Sequence, residues 1–236
     1  MTRLLFREDA YQQSCAARVI SVQDRGVELD QTVFYATSGG QAGDCGVLRC
    51  GDGREIPVTT TIKDRESGRY LHMIADGHDL PDTGSSIEAM LDWETRYRHM
   101  RFHTCLHLLC AVIDGSVTGG NIASHKSRLD FDIPDTVPDK DALTDQINAL
   151  IARNARVFDG EISEAELRAN PELVRTMSVS PPMDGGVIRT ITIEGIDYQP
   201  CGGTHVRQTS EIGKIIVAKI EKKGRQNRRI NIVFDE

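Results

Sequence analysis

No apolar run in this 236-residue sequence approaches the roughly 20 residues needed to cross a bilayer. Leu4 to Phe6 meet charge at once, which is too short an apolar stretch for a secretory signal, so a cytoplasmic protein with no membrane partner is expected. Cys-x-x-Cys pairs are lacking, and six cysteines do not make the dense framework of a small secreted domain, so reduced thiols are expected. Positive charge is not in excess. A formal net charge of -7 excludes a protein that coats nucleic acid through bulk charge, though not one with a local basic patch. The phosphate-binding Gly-Lys motif is missing, so no ATP chemistry is expected. Internal repeats and low-complexity linkers are missing too. What remains, 39% hydrophobic and 27% charged, is an ordinary globular composition, long enough for two modest domains.

From Leu4 to Leu91 short β-like runs are punctuated by Gly, Asp and Ser: Arg18 to Val22, Val27 to Leu29, Thr32 to Tyr35, Val47-Leu48, Tyr70 to Met73 and Ser86 to Leu91. Many short strands between turns predict a small β-barrel or sandwich over residues 1–91. The texture changes at Asp92, a good N-cap, with Glu94 in the first helical turn. A helix is expected from Trp93 to Asp114, stopped by Gly115, with Trp93, Tyr97, Met100, His103, His107 and Cys110 on one inward stripe. Leu129, Phe131 and Ile133 predict a strand ended by Pro134. Leu143, Ile147, Leu150 and Ile151 mark a second helix, and the capping box Ser163-x-x-Glu166 starts a third. Val187, Ile191 and Ile193 suggest another strand, and Lys214 to Ile220 with Arg229 to Phe234 a hairpin. The expected class is α+β, with a mixed α/β domain over residues 92–236.

Residues four apart on a helix lie one above the other, so His103 and His107 can reach one ion. Cys201-Gly-Gly-Thr-His205 adds a thiolate and an imidazole around two glycines. Taken alone, each pair also reads as structure: two core histidines, or a glycine turn with an incidental cysteine. Together, three imidazoles and one thiolate match the nitrogen and sulfur preference of zinc. Thr104 follows His103, so the His-Glu-x-x-His arrangement of a metalloprotease is absent. Four protein ligands suit a closed structural ion, whereas a catalytic ion keeps a position open, and the sequence leaves both roles standing.

The motifs His103-Thr-Cys-Leu-His107 and Cys201-Gly-Gly-Thr-His205, with the tract from Thr32 through Ser38-Gly39-Gly40-Gln41 to Asp44-x-Gly46, closely resemble the alanyl-tRNA editing proteins of the AlaX type. The editing domain of alanyl-tRNA synthetase is similar. The resemblance extends from this tract to the terminal Lys222-Lys-Gly-Arg-Gln-Asn-Arg-Arg229. It implies a hydrolase that removes serine or glycine wrongly attached to alanine tRNA, a small N-terminal β-barrel followed by a zinc-binding editing domain, and one Zn2+ held by His103, His107, Cys201 and His205. It also implies that the Gly-rich tract borders the editing pocket. Many members carry three glycines before the glutamine, where this chain has Ser38 first.

By residue chemistry Gly39-Gly40-Gln41 is a turn whose backbone N–H groups can approach a ligand, or a plain hairpin connection. Asp44 equally suits a turn. Thr104 and Thr118 are candidate hydroxyl contacts to a seryl group. A zinc-associated water suffices for ester hydrolysis, with no side-chain base assigned. A pocket that bonds the serine hydroxyl leaves polar groups unpaired when alanine enters, so mischarged seryl-tRNA is expected to be the better substrate. Lys222, Lys223, Arg225, Arg228 and Arg229 concentrate charge on one hairpin, either a solvated face or a tRNA phosphate contact. Two competing readings are the editing of threonine tRNA charged with serine, and a structural-zinc RNA-binding module without activity.

Overall fold

Buried Cys15, Ala17 and Val19 alternate with more exposed neighbours, the period-two pattern of a strand with one wet face. A computed structural model describes residues 2–133, 137–175, 183–184 and 186–236; Pro134 lies outside the described residues. The chain divides into two compact units, Met1–Tyr97 and Arg98–Glu236.

In the first unit, β1 (Ser14–Gln23), β2 (Gly26–Leu29), β3 (Gly46–Cys50), β4 (Glu55–Lys63), β5 (Tyr70–Ile74) and β6 (Ser86–Leu91) form a closed barrel. Their order is β1-β2-β5-β4-β3-β6, antiparallel throughout, with β6 returning to β1. Val19, Val27, Leu29, Leu48, Ile56, Ile74 and Ala89 fill its interior, and closure leaves no open edge along this sheet. Strand β4 gives little sign of itself in the sequence because its register shifts between Val58 and Thr60. The bulge moves the inward positions from Ile56 and Val58 to Thr61, which erases the period of two.

The run Thr32 to Tyr35 behaves differently from the expected strand. Only Gln31–Thr32 pairs, in parallel, with Arg3–Leu4. Val33 to Ala36 are buried outside any ladder because side chains serve their backbone: Thr32 Oγ1 accepts the Phe34 N–H, Asp44 accepts the Tyr35 N–H, and Arg96 donates to the Val33 carbonyl. Beyond it, Ser38 and Gln41 exchange both backbone hydrogen bonds across Gly39 (φ 55°) and Gly40 (φ 84°). Left-handed backbone at both central positions of a two-residue turn is what glycine permits.

One buried imidazole in this unit gives a pH prediction. His72 is fully buried; the carbonyl of Val27, 2.9 Å from Nδ1, can only accept, so Nδ1 carries the proton and Nε2 accepts from the Thr32 hydroxyl at 2.7 Å. Burial, only partly offset by the Val27 carbonyl, lowers its pKa to about 4. Between that value and the ordinary 6.5 the unfolded chain binds a proton that the folded one refuses, so stability rises with pH in this window and falls on acidification. The full loss is about 3 kcal/mol at 1.36 kcal/mol per pKa unit. Denaturant titrations from pH 7 to pH 4 should show this slope in the wild type and lose most of it in His72→Leu; an unchanged slope would refute the assignment.

Helix α1 (Trp93–Val112) follows, with Asp92 Oδ1 accepting the Thr95 N–H at 3.1 Å as its cap. It ends before the expected Asp114. Gly115 is not its stop: a Cβ there would meet the Asp132 carbonyl at 3.0 Å, so its smallness serves a close backbone approach. Nor is the inward face a narrow stripe, since every residue from Phe102 to Cys110 is buried.

The second unit contains β7 (Ser116–Ile122), β8 (Ser127–Asp132), α2 (Lys140–Ala152), β9 (Val157–Ser163), α3 (Glu164–Ala169), β10 (Val187–Ile193), β11 (Asp197–Pro200), β12 (Ile215–Lys222) and β13 (Asn227–Phe234). One sheet runs β12-β13-β8-β7, and in the other β10 pairs with β9 on one side and with β11 and Met183–Asp184 on the other. Ser163 caps α3 through the expected box with Glu166. Edge strand β12 is covered by α2: Asn148 bonds both the N–H and the carbonyl of Ile215, and Thr144 accepts from Val217. These bonds satisfy edge groups that would otherwise invite another strand. Strand β9 leaves no hydrophobic alternation in the sequence, because only Val157 of its seven residues is buried, while Phe158 is 45% exposed.

Candidate metal centre

His103 and His107 are brought together by helix geometry, as the i, i+4 spacing requires, with ring centroids 5.4 Å apart. Strand β11 delivers the second pair. It ends at Pro200, and Cys201 begins a turn held from both sides by Arg189: the Cys201 N–H bonds the Arg189 carbonyl at 3.1 Å, and the guanidinium donates to the carbonyls of Cys201 (3.0 Å) and Gly203 (2.9 Å). The Gly203 N–H points back at Cys201 Sγ at 3.4 Å. His205 then falls 4.3 Å from the ring of His103 and 4.7 Å from that of His107.

The donor atoms of His103, His107, Cys201 and His205 lie within 4.8 Å of one another. Cys201 Sγ is 3.4 Å from His103 Nε2 and 3.3 Å from His205 Nε2. Zinc bonds to nitrogen and sulfur meeting at the tetrahedral angle separate the two donors by about 3.5 Å, so the side chains stand close to where one ion would need them. The three imidazoles are buried and Cys201 is half-buried. The set is soft, mixed nitrogen and sulfur, and of zinc's coordination number; the residues fit the ion.

The electrostatics point the same way. Burial by itself would raise the Cys201 thiol, but the charges of His103 and His205 and hydrogen bonds from His103 and His107 hold it well below the ordinary thiol value, toward the thiolate that binds metals. Burial, followed by the charge of His103, keeps His205 well below the usual imidazole range. His107 moves in the opposite direction: burial opposes its charged form, yet hydrogen bonds to Asp197 and Cys201 bring it up to about 9. Cys105 and Cys110, by contrast, are pushed up to about 12 by burial and stay protonated.

Around the four donors stand residues that the sequence did not single out. Asp197 Oδ2 is 2.9 Å from His107 Nδ1, and Gln199 Nε2 donates to the same oxygen at 2.8 Å. Both lie on β11, and a carboxylate two residues before a glutamine carries no motif to find them by. Thr104, expected as a contact to a seryl group, is fully buried and spends its hydroxyl inside the protein: on the Met100 carbonyl (2.9 Å), the Val206 N–H (3.2 Å) and His205 Nδ1 (3.2 Å). Thr118 donates to the Asp130 carbonyl and accepts from Asn227.

The other expected contacts are placed as follows. Gly39 is exposed, Gly40 partly so, and Gln41 is buried. On the hairpin β12 and β13, Lys222, Lys223 and Arg225 are exposed. Arg228 is buried, donating to the carbonyls of Arg225 and Asn227, and Arg229 forks onto Asp130 at 2.9 and 2.8 Å. Alternation along β13 turns Arg228 inward, and the register Asp130↔Arg229 supplies the other's counter-charge. No helix among the described residues is long and apolar enough to cross a membrane.

Residues 188–231 match the family described as threonyl and alanyl tRNA synthetase second additional domain, and residues 6–95 match tRNA synthetases class II (A). The alanyl-tRNA editing protein AlaX-M of Methanosarcina barkeri is 35% identical, covering 98% of each chain. AlaX-M of Saccharolobus solfataricus is 33% identical over the same shares. The alanine–tRNA ligase of Pyrobaculum calidifontis is 35% identical over 94% of this chain but only 25% of its own length.

Proposed function

The chain belongs to the AlaX family of alanyl-tRNA editing proteins, and from that premise we propose that it is a zinc-dependent hydrolase that deacylates alanine tRNA mischarged with serine and, more slowly, with glycine. The observation that carries the reading is the convergence of His103, His107, Cys201 and His205 on one point. When bound there, zinc would polarise the ester or lower the pKa of a water. The protein's own part is positional. Arg189 fixes the turn that presents Cys201, and burial excludes bulk water from the imidazoles. No side chain is assigned as general base.

Gly39, Gly40 and Gln41 are proposed to contact the substrate, and Lys222, Lys223 and Arg225 the tRNA phosphates. Concentrated cations on a protein of net charge -7 predict binding that weakens steeply with salt. The deciding assay measures release of serine, glycine and alanine from alanine tRNA, and of serine from threonine tRNA, with and without a chelator. Hydrolysis of seryl-tRNA for alanine that stops on chelation and returns with zinc is expected. No hydrolysis by zinc-loaded protein would leave the inactive RNA-binding reading, and preference for threonine tRNA would move the activity to that branch.

A further inference from the structure

We propose that Asp197 and Thr104 are positioning residues that lock His107 and His205 in the Nδ1–H tautomer, so that both rings present an Nε2 lone pair to the metal; this rests on the metal-site reading above. An imidazole can ligate through either nitrogen, and which one is free is set by the hydrogen bond that the other makes. Asp197 can only accept when ionised, so the 2.9 Å contact makes His107 Nδ1 the donor. Gln199 Nε2, a donor only, stands 3.1 Å from His107 Nδ1 and 2.8 Å from Asp197 Oδ2; because Nδ1 and an ionised oxygen 2.9 Å apart need a proton between them, the amide N–H goes to the carboxylate and fixes it in place. With side-chain exposures of 7% and 2%, neither His107 nor Asp197 has water to offer it an alternative partner.

Thr104 reaches the same result by counting protons. Its hydroxyl has one hydrogen, and the Met100 carbonyl, 2.9 Å away, can only accept it. The oxygen must therefore accept from its other two neighbours, the Val206 N–H and His205 Nδ1. His205 is thus a donor at Nδ1 and bare at Nε2, the atom 3.3 Å from Cys201 Sγ. The two locks are built from opposite elements. Asp197 reaches from β11 to a helical ligand, and Thr104 reaches from α1 to the ligand that follows β11. Each motif is oriented by the segment that carries the other, so the four donors converge only when both segments are in place.

The test uses the full chain and zinc itself. Zinc affinity is measured by competition with a chelator of known strength for the wild type, Asp197→Asn, Thr104→Val and Thr104→Ser. Loss of an outer partner of a ligating histidine should weaken binding by roughly 10–100-fold. We expect that loss for Asp197→Asn and Thr104→Val, with Thr104→Ser close to wild type because it keeps the hydroxyl. Long-range 1H–15N spectra of the zinc-loaded wild type supply a readout independent of stability, and should show His107 and His205 protonated at Nδ1 and ligated at Nε2. Either ring ligated through Nδ1, or unchanged affinity in Asp197→Asn and Thr104→Val, overturns the proposal. A wild type that binds no zinc overturns the metal reading itself.

Discussion

Replacing Arg96 by methionine is expected to lower stability by about 3–5 kcal/mol, the cost of leaving one partner of a buried ion pair alone. Arg96 and Asp44 are 0% and 1% exposed. The guanidinium bonds both Asp44 oxygens and the carbonyls of Ala10 and Val33. Removing it strands the buried Asp44 carboxylate and Val33 carbonyl and leaves the part-buried Ala10 carbonyl without its partner. The loss also reaches the Gly-rich turn, because Asp44 holds Tyr35 through its carboxylate and accepts from Thr61 through its carbonyl. Tyr35 and Asp44 bracket the Ser38 to Gln41 turn, so the pair sets where that turn sits. The single tryptophan, Trp93, stacks on Tyr97 in the same first turns of α1, and its fluorescence follows unfolding in urea. The double change Arg96→Met, Asp44→Leu should recover part of the stability, since it removes both charges together. A loss below 1 kcal/mol in the single variant would show that the pair contributes little.

Neither member of the pair is legible in the sequence. Asp44 equally suits a turn in the sequence, and nothing in a linear pattern tells a buried arginine such as Arg96 from an exposed one. The barrel strands that alternate cleanly, such as β1 and β6, were legible; β4 was hidden by its bulge and the Val33 to Tyr35 segment by side chains standing in for a partner strand. The metal-type residues were legible for the opposite reason. Spacing four on a helix and a Cys-Gly-Gly-Thr-His turn are local patterns, each written in a few consecutive residues. Asp197 and Gln199 stand outside both motifs and acquire a role only through contact with His107, 90 and 92 positions away. Charge alone does not tell how such cations are placed: strand alternation turns Arg228 inward, and Asp130 pairs with Arg229.

Replacing Cys201 by alanine is expected to lower zinc-dependent deacylation about a thousandfold while leaving the fold intact. The argument is electrostatic. Three imidazoles are neutral donors, and the thiolate is the one anionic ligand in the set, so its loss removes both a bond and the charge that draws a divalent cation into a buried site. A polarising ion is worth several kcal/mol at the transition state, and each 1.36 kcal/mol is tenfold in rate. The fold should tolerate the change because the turn does not depend on sulfur. Arg189 grips the backbone carbonyls of Cys201 and Gly203, and the Cys201 N–H bonds a strand carbonyl, contacts that alanine keeps. Thermal unfolding of the metal-free proteins should therefore agree within a few degrees. Cys105→Ala, in the same buried helix but with its thiol pushed up to about 12 and outside the donor cluster, is the control: it should lose packing stability and keep its zinc. Full activity and stoichiometric zinc in Cys201→Ala would refute the ligand set. A variant that binds zinc normally yet is inactive would instead move Cys201 from holding the ion to the chemistry itself.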